Sequence, residues 1–278
     1  MLEAQELTTH AGASAKAFQL NGQPHLAVAN TNGNNVQLYR SNGVSFEAIQ
    51  SLSVNTPVAA DVLVNSDSST YLIVASQSVS KVFLYDSDQG AFVAQESMDL
   101  DTPFATDVKV IPKEETGIDY TFVAFSIYKA VEPEIENYEA ESAIYYWSPF
   151  GSLVPLQTIL TTGAAKIEYF TSDGSLYVIF GNQAAYRYNL ILEQPLKYED
   201  IESPVYKFEG MGFVKTSGGS VRATGLTDLK TFTGEDGTMY LAVSQGLDRL
   251  PESSGVDGTN AVAITSAQKS TLGQHADV

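Results

Sequence analysis

The sequence predicts an all-β chain, a β-propeller of about five four-stranded antiparallel blades, on three observations. A small residue, then Lys or Asp, then an apolar residue recur together, placing a charged column at Lys16, Asp61, Asp107, Lys166 and Asp228. Around each column residue lie four short β signals in constant order. The second of them is a nearly unbroken apolar run, the pattern of a strand buried on both faces. The column spacings are 45, 46, 59 and 62 residues, so five units fit and the last two steps carry insertions. A unit of this size cannot bury a core alone and does so by stacking on its neighbours. A β-sandwich holds as many strands but does not account for the constant order of turn chemistry.

The elements follow from local chemistry. First strands are expected at 17–20, 62–64, 108–111, 167–170 and 229–232, just after the column. Asn21-Gly22, Asp173-Gly174 and Asp236-Gly237 are hairpin dipeptides, because both residues tolerate the left-handed backbone that a two-residue turn requires. Second strands are expected at 25–29, 71–75, 121–125, 176–180 and 239–243. Third strands read β-branched, any, any, aromatic at 36–39, 82–85, 144–147 and 205–208. Fourth strands, at 46–52 and 92–98, alternate and are more polar, which suits an edge with one face in water.

The termini read as parts of one blade. Gln5 and Leu7 have the spacing of Gln50 and Leu52 and of Gln157 and Ile159, so residues 1–8 resemble a fourth strand. Residues 261–264 suit the third strand of the fifth unit, and 266–278 form a polar tail expected to fray. The expected organisation is one propeller over 1–265, its N-terminal strand completing the last blade. A closed five-blade ring and a piece of a longer propeller both fit.

Composition narrows the function. With 33 Asp+Glu against 15 Lys+Arg the formal charge is -18, which argues against nucleic acid as a partner. The absence of Cys excludes disulfides, zinc fingers and thiol catalysis. No apolar stretch reaches the length of a membrane span. Residues 1–6 lack the basic start and apolar run of a signal peptide, so no export signal is expected in the chain as written. Nucleotide-loop, nucleophile-elbow and zinc-protease motifs are all missing, and three His make a histidine metal cage implausible. No cofactor is expected.

Several residues are candidates for chemistry. First strands of propeller blades line the axis, so Lys16, Asp61, Asp107, Lys166 and Asp228 could ring a small-molecule or cation site. They could equally form interblade ion pairs and caps on backbone amides, the preferred reading. Asp86-Ser87-Asp88-Gln89-Gly90 has half of a calcium loop but lacks the distal Glu, and reads as a tight turn. The two insertions, 127–142 and 190–203, fall between second and third strands. They carry Glu132, Glu134, Glu136, Tyr138 and Glu139, and Glu193, Tyr198, Glu199 and Asp200. Long loops on a rigid scaffold are common recognition elements, so these residues are candidate interaction loops for a basic patch on a protein.

The run Leu156-Gln157-Thr158-Ile159-Leu160-Thr161-Thr162-Gly163-Ala164, with Phe170, Asp173-Gly174 and Leu176-Tyr177-Val178 after it, resembles the EAR (epilepsy-associated, EPTP) repeat. So do residues 25–30, 143–147 and 240–244. The resemblance spans residues 1–265 and is nearest to the EAR region of thrombospondin-type laminin G domain and EAR repeat proteins. It implies a non-enzymatic extracellular or cell-surface propeller serving protein–protein interaction, adhesion or receptor binding, with seven repeats in the family's better-known members, so that five units mark a fragment of a seven-bladed propeller or a smaller ring. The alternatives are a lectin-like carbohydrate binder and, behind it, a propeller glycoside hydrolase. The latter needs paired carboxylates about 5–10 Å apart, for which Asp61, Asp107 and Asp228 are available.

Overall fold

Five antiparallel sheets succeed one another along the chain, each a simple up-and-down meander. The computed structural model describes residues 5–115, 118–130, 138–183, 188–189, 194–195, 201–223, 225–235, 238–245 and 260–262. The first sheet has the order β1 (Gly12–Leu20), β2 (Gln23–Asn30), β3 (Asn35–Ser41), β4 (Phe46–Ser53). Asn21 and Gly22 take φ of 52° and 75° and close β1 on β2 with Leu20 opposite Gln23, the two-residue turn expected of Asn-Gly. The second sheet comprises β5 (Pro57–Val64), β6 (Thr70–Ser76), β7 (Val79–Asp86) and β8 (Ala91–Ala94), with β9 (Leu100–Asp101) returning to pair with β7. The third is β10 (Ala105–Glu115), β11 (Ile118–Ile127), β12 (Glu139–Trp147) and β13 (Leu153–Thr162).

In the fourth sheet β14 (Ala164–Ser172) and β15 (Ser175–Asn182) lead into the insertion, which holds a two-stranded ladder of β16 (Tyr188–Asn189) and β17 (Gln194–Pro195). The sheet resumes with β18 (Ile201–Glu209) and β19 (Gly212–Ala223). The fifth has three strands among the described residues: β20 (Leu226–Thr233), β21 (Met239–Gln245) and β22 (Asn260–Val262). All-β composition and successive four-stranded meanders, stacked first strand beside first strand, define a β-propeller. Within one unit β5 lies between β1 and β10, and within the other β14 lies beside β20.

The chain forms two compact units, 1–125 with 145–154 and 126–144 with 155–278. In the first, Leu38, Leu52, Leu72, Val74, Phe83 and Phe92 form a core between the first two blades. In the second, Ile179, Val205, Leu226, Leu229 and Leu241 do the same between the last two. Every residue of β6 is buried, as an apolar second strand flanked by two sheets requires. At the far end of the second, third and fourth blades a hydroxyl satisfies an amide at the end of the second strand: Ser76 N–H donates to Ser80 Oγ, Ile127 N–H to Ser142 Oγ and Asn182 N–H to Ser203 Oγ. Those Ser residues stand on the third strand beside the exit of the apolar run and keep these donors from being orphaned.

One contact recurs on the outer edge. The Gln5 amide donates to Phe46 O at 2.8 Å and accepts from Phe46 N–H at 2.6 Å. Gln50 does the same to Phe92 at 2.8 and 2.9 Å, and Gln157 to Phe213 at 2.9 and 2.8 Å. In each case a primary amide closes the open N–H and C=O at the start of the next fourth strand. At the equivalent place in the second blade stands Glu96, a carboxylate that accepts but cannot donate. There the strand expected over 92–98 ends at Ala94 and continues as a 3₁₀ turn, Glu96–Met98.

Residues 5–9 form no strand, yet Gln5 reproduces the contact of a fourth-strand Gln. We expect Gln5→Ala to cost about 1–2 kcal/mol, two hydrogen bonds at a part-exposed edge. Deleting residues 1–9 should lower the melting temperature by at least as much as that variant. An unchanged calorimetric melting curve for both would show that the segment is not part of the folded unit.

Candidate functional site

The charged column lies on the first strand of each sheet, one edge of its blade. Lys16 and Asp61 meet: Lys16 Nζ lies 2.5 Å from Asp61 Oδ1, with the Asp61 side chain 5% exposed. Asp61 also accepts from Val62 N–H on Oδ1 and, at 2.8 Å, from Val110 N–H of the next first strand on Oδ2. Lys166 and Asp228 do not hold the same register. Lys16 and Asp61 stand opposite Ala27 and Ile73, three residues before the ends of β2 and β6. Lys166 and Asp228 stand opposite Gly181 and Ser244, only one residue before the ends of β15 and β21.

The equivalent places belong to Glu168, opposite Ile179, and Lys230, opposite Ala242. They make the equivalent bonds. Lys230 Nζ lies 3.2 Å from Glu168 Oε1, and that oxygen accepts from Thr231 N–H and, at 2.7 Å, from Thr231 Oγ1. Glu168 is buried. Val110 follows Lys109 as Thr231 follows Lys230, so the column in register reads Lys16, Asp61, Lys109, Glu168, Lys230, with alternating sign. The reading Asp107, Lys166, Asp228 falls two residues early in these three blades. The register shifts keep one place relative to this column: they lie between Gly12 and Ser14, Pro57 and Ala59, Ala164 and Lys166, and Leu226 and Asp228, each four to two residues before Lys16, Asp61, Glu168 and Lys230. The common place of the bulge supports this register, so in the later blades it is the sequence marker that comes early. Charges two residues further on were the signal that sequence reasoning passed over.

Asp107 is buried on β10. Asp86 serves its turn: Oδ1 accepts from the Asp88 and Gln89 N–H groups and Oδ2 from Gln89 Nε2. These bonds, the Gln89 backbone first, hold its carboxyl below the usual range. No cluster of three or more metal-ligating side chains occurs among the described residues.

Of the loop candidates, Tyr138 and Glu139 are described. Tyr138 packs edge-on to Tyr128 with centroids 5.2 Å apart, and its carbonyl accepts from Gly163 N–H, while Glu139 opens β12 in solvent. Glu132, Glu134, Glu136, Glu193, Tyr198, Glu199 and Asp200 lie outside the described residues.

A second repeated feature was not anticipated. Phe18 stacks on His25, Phe170 on Tyr177 and Phe232 on Tyr240, with centroids 5.5, 4.9 and 5.4 Å apart. Each pair is directly cross-strand, a favourable placement for aromatic rings. Phe18 and Phe170 are packed against the two interblade cores. Phe232 is 49% exposed. On the same face of β20, at alternate residues, lie Lys230 and Asp228, and Ser244 stands across from Asp228 with its Oγ 2.9 Å from Thr227 Oγ1. Asp228 accepts from Leu229 N–H and is exposed. An open aromatic face, a carboxylate, hydroxyls and an ammonium therefore share one strip of the fifth blade.

The architecture places the chain among the β-propellers, a class that includes both binding platforms and enzymes. Solved structures similar to it include the following three. A thermostable family-43 glycoside hydrolase matches with a TM-score of 0.48 at 11% identity, over 85% of this chain and 84% of that one. A 6-phosphogluconolactonase-like protein from Bacteroides fragilis matches at 0.52 and 14%, over 82% and 62%. An exo-β-1,3-galactanase from Phanerochaete chrysosporium, solved with β-1,3-galactotriose, matches at 0.51 and 7%, over 87% and 57%. The chain spans less than two thirds of the latter two. At these identities the likeness is one of fold. No protein-family model matches the chain, and no curated protein does.

These neighbours correct one expectation. A propeller platform without a reaction is the expectation that the EAR resemblance and the missing catalytic motifs carry, but the same fold carries the galactanase. Carboxylates contributed by separate blades leave no contiguous motif, so the absence of one excludes nothing. Among the described residues no helix is long and apolar enough to cross a membrane.

Proposed function

We propose that this chain is a carbohydrate-directed propeller that holds an oligosaccharide on the first-strand face of its fifth blade. The observation that carries the reading is the Phe232–Tyr240 pair, 49% exposed at Phe232, beside Asp228, Lys230 and Ser244. A pyranose presents an apolar C–H face and a rim of hydroxyls. The first packs on an aromatic ring; the second pairs with a carboxylate, an ammonium and Ser or Thr hydroxyls. The fold it shares with a galactanase solved with its trisaccharide supports this class of ligand over a protein partner.

Asp61 and Glu168 orient the platform. Their oxygens are held by lysines and by backbone N–H groups of the following blade, which fixes the stagger of neighbouring first strands. A glycan array followed by calorimetry tests the reading, with reducing-sugar release from β-1,3-galactan read alongside. Phe232→Ala should weaken binding about tenfold, the range of one exposed ring, while leaving the melting temperature nearly unchanged. Phe170→Ala should instead destabilise, because its ring is packed against an interblade core. Absence of any binding or turnover by the unaltered chain, or binding indifferent to Phe232, would refute it.

A further inference from the structure

The dipeptide Asn-Gly fills all three connections of the first blade: Asn21-Gly22 from β1 to β2, Asn32-Gly33 from β2 to β3 and Asn42-Gly43 from β3 to β4. All six residues are exposed. This pairing is chemically distinctive. A glycine has no side chain to shield its backbone nitrogen, which can attack the side-chain carbonyl carbon of the asparagine before it. The three sites share that chemistry and differ in what the fold does to the two reacting groups.

At Asn42 both groups are committed. Its Oδ1 accepts from Val44 and Ser45 N–H, its Nδ2 donates to Ser45 Oγ and Glu47 Oε1, and Gly43 N–H donates to Ser41 Oγ. At Asn32 the attacking nitrogen is committed, because Gly33 N–H donates to Asn30 O at 3.1 Å. Gly33 is also wedged: a Cβ there would lie 2.8 Å from Asn35 Oδ1 and 3.1 Å from Asn30 Cβ. Asn21 stands apart. Among the described residues its side chain makes no hydrogen bond and Gly22 N–H has no acceptor. Nothing lies within 4 Å of the place a Gly22 Cβ would take.

We propose that Asn21 is a site of spontaneous deamidation, through which the first hairpin acquires a carboxylate. Gly22 N gives up its proton to base and bonds to Asn21 Cγ. The Cγ–Nδ2 bond breaks, and the side-chain nitrogen leaves as ammonia with a proton from water. Water then opens the resulting five-membered imide. Cleavage at Cγ restores the ordinary backbone with Asp at 21, and cleavage at the main-chain carbonyl leaves isoaspartate. The fold treats the two products differently. Asp-Gly already makes this turn in the fourth blade, where Asp173 and Gly174 take φ of 48° and 71° against 52° and 75° at Asn21 and Gly22. Isoaspartate instead adds an atom to the main chain of a two-residue turn whose geometry sets the hairpin register. The pairs of Leu20 with Gln23 and Phe18 with His25 lie directly behind that turn, and Phe18 packs against the core between the first two blades. The isoaspartate form is therefore the less stable one.

The test is peptide mapping of the full chain by mass spectrometry after warm storage, with fragment ions locating each exchange of side-chain NH2 for OH. Asn21 should convert about tenfold faster than Asn32 or Asn42, as expected where hydrogen bonds must first break at the other two. Its rate should rise with pH, because the attacking nitrogen must lose a proton. In urea the three sites should converge, since they then share a dipeptide and no fold. Asn21→Asp should melt with the unaltered chain, and stored chain enriched in isoaspartate should melt lower. Equal rates at the three sites in the folded chain, or slower conversion at Asn21, would overturn the proposal. So would an equally large difference persisting in urea, since that assigns it to the flanking sequence.

Discussion

Replacing Asp61 by Ala should destabilise the chain by about 3 kcal/mol, a drop in melting temperature of roughly 6–12 °C for a domain of this size. The carboxylate accepts from Val62 and Val110 N–H and pairs with Lys16. Its removal leaves the half-buried Val110 amide of β10 without its acceptor and a lysine without its counterion. Because Lys16 is 40% exposed, water takes over part of its solvation, and the loss falls at the lower end for a broken buried pair. Asp61→Asn keeps one acceptor oxygen and should cost less than half as much. Urea unfolding of the two variants, with Lys16→Met as the third corner of a double-mutant cycle, separates the ion pair from the cap. Equal stability of Asp61→Ala and the unaltered chain would show that the column does not hold neighbouring blades in register.

Gly181→Val should be comparably severe, about 3 kcal/mol. A Cβ at Gly181 would lie 2.6 Å from Leu226 Cδ2 and 2.9 Å from Leu229 Cδ1. Both leucines are buried in the core between the fourth and fifth blades, so neither can swing away without opening a cavity. The glycine is there because β20 approaches β15 closely at this point. Leu226→Ala in the same chain should recover part of the loss, a non-additivity expected only if the two residues compete for one space. Thermal melts that show additive losses would mean the strand shifts as a whole.

Much of the blade architecture was legible from residue order. Asn21-Gly22 and Asp173-Gly174 form the expected turns, with both residues at positive φ. The apolar second strands run where their composition puts them, because a strand covered on both faces has no place for polar side chains. The third strands begin earlier than expected, at Asn35 and Val79, because the residues before the β-branched position still pair, Asn35 with Asn30 and Val79 with Asp101. Gln5, Gln50 and Gln157 were visible as a repeat, but not their shared bond to the next fourth strand. A side chain that spans two blades leaves a trace in each without revealing the partner. The same limit hid Lys109, Glu168 and Lys230. The marker residues come two positions early in the later blades, and only the pairing with the second strand and the common place of the bulge reveal it.

What the sequence determined by itself was therefore the class of fold, the number of repeated units and the chemistry of each turn, because these depend on neighbours along the chain. What only the tertiary structure decided was which charges meet, which aromatic faces are covered by the following blade and which stay open, and which hairpin tips stand in water. Those depend on the stagger between sheets, set by a few buried carboxylates, amide clasps and glycines whose partners lie some forty to sixty residues away.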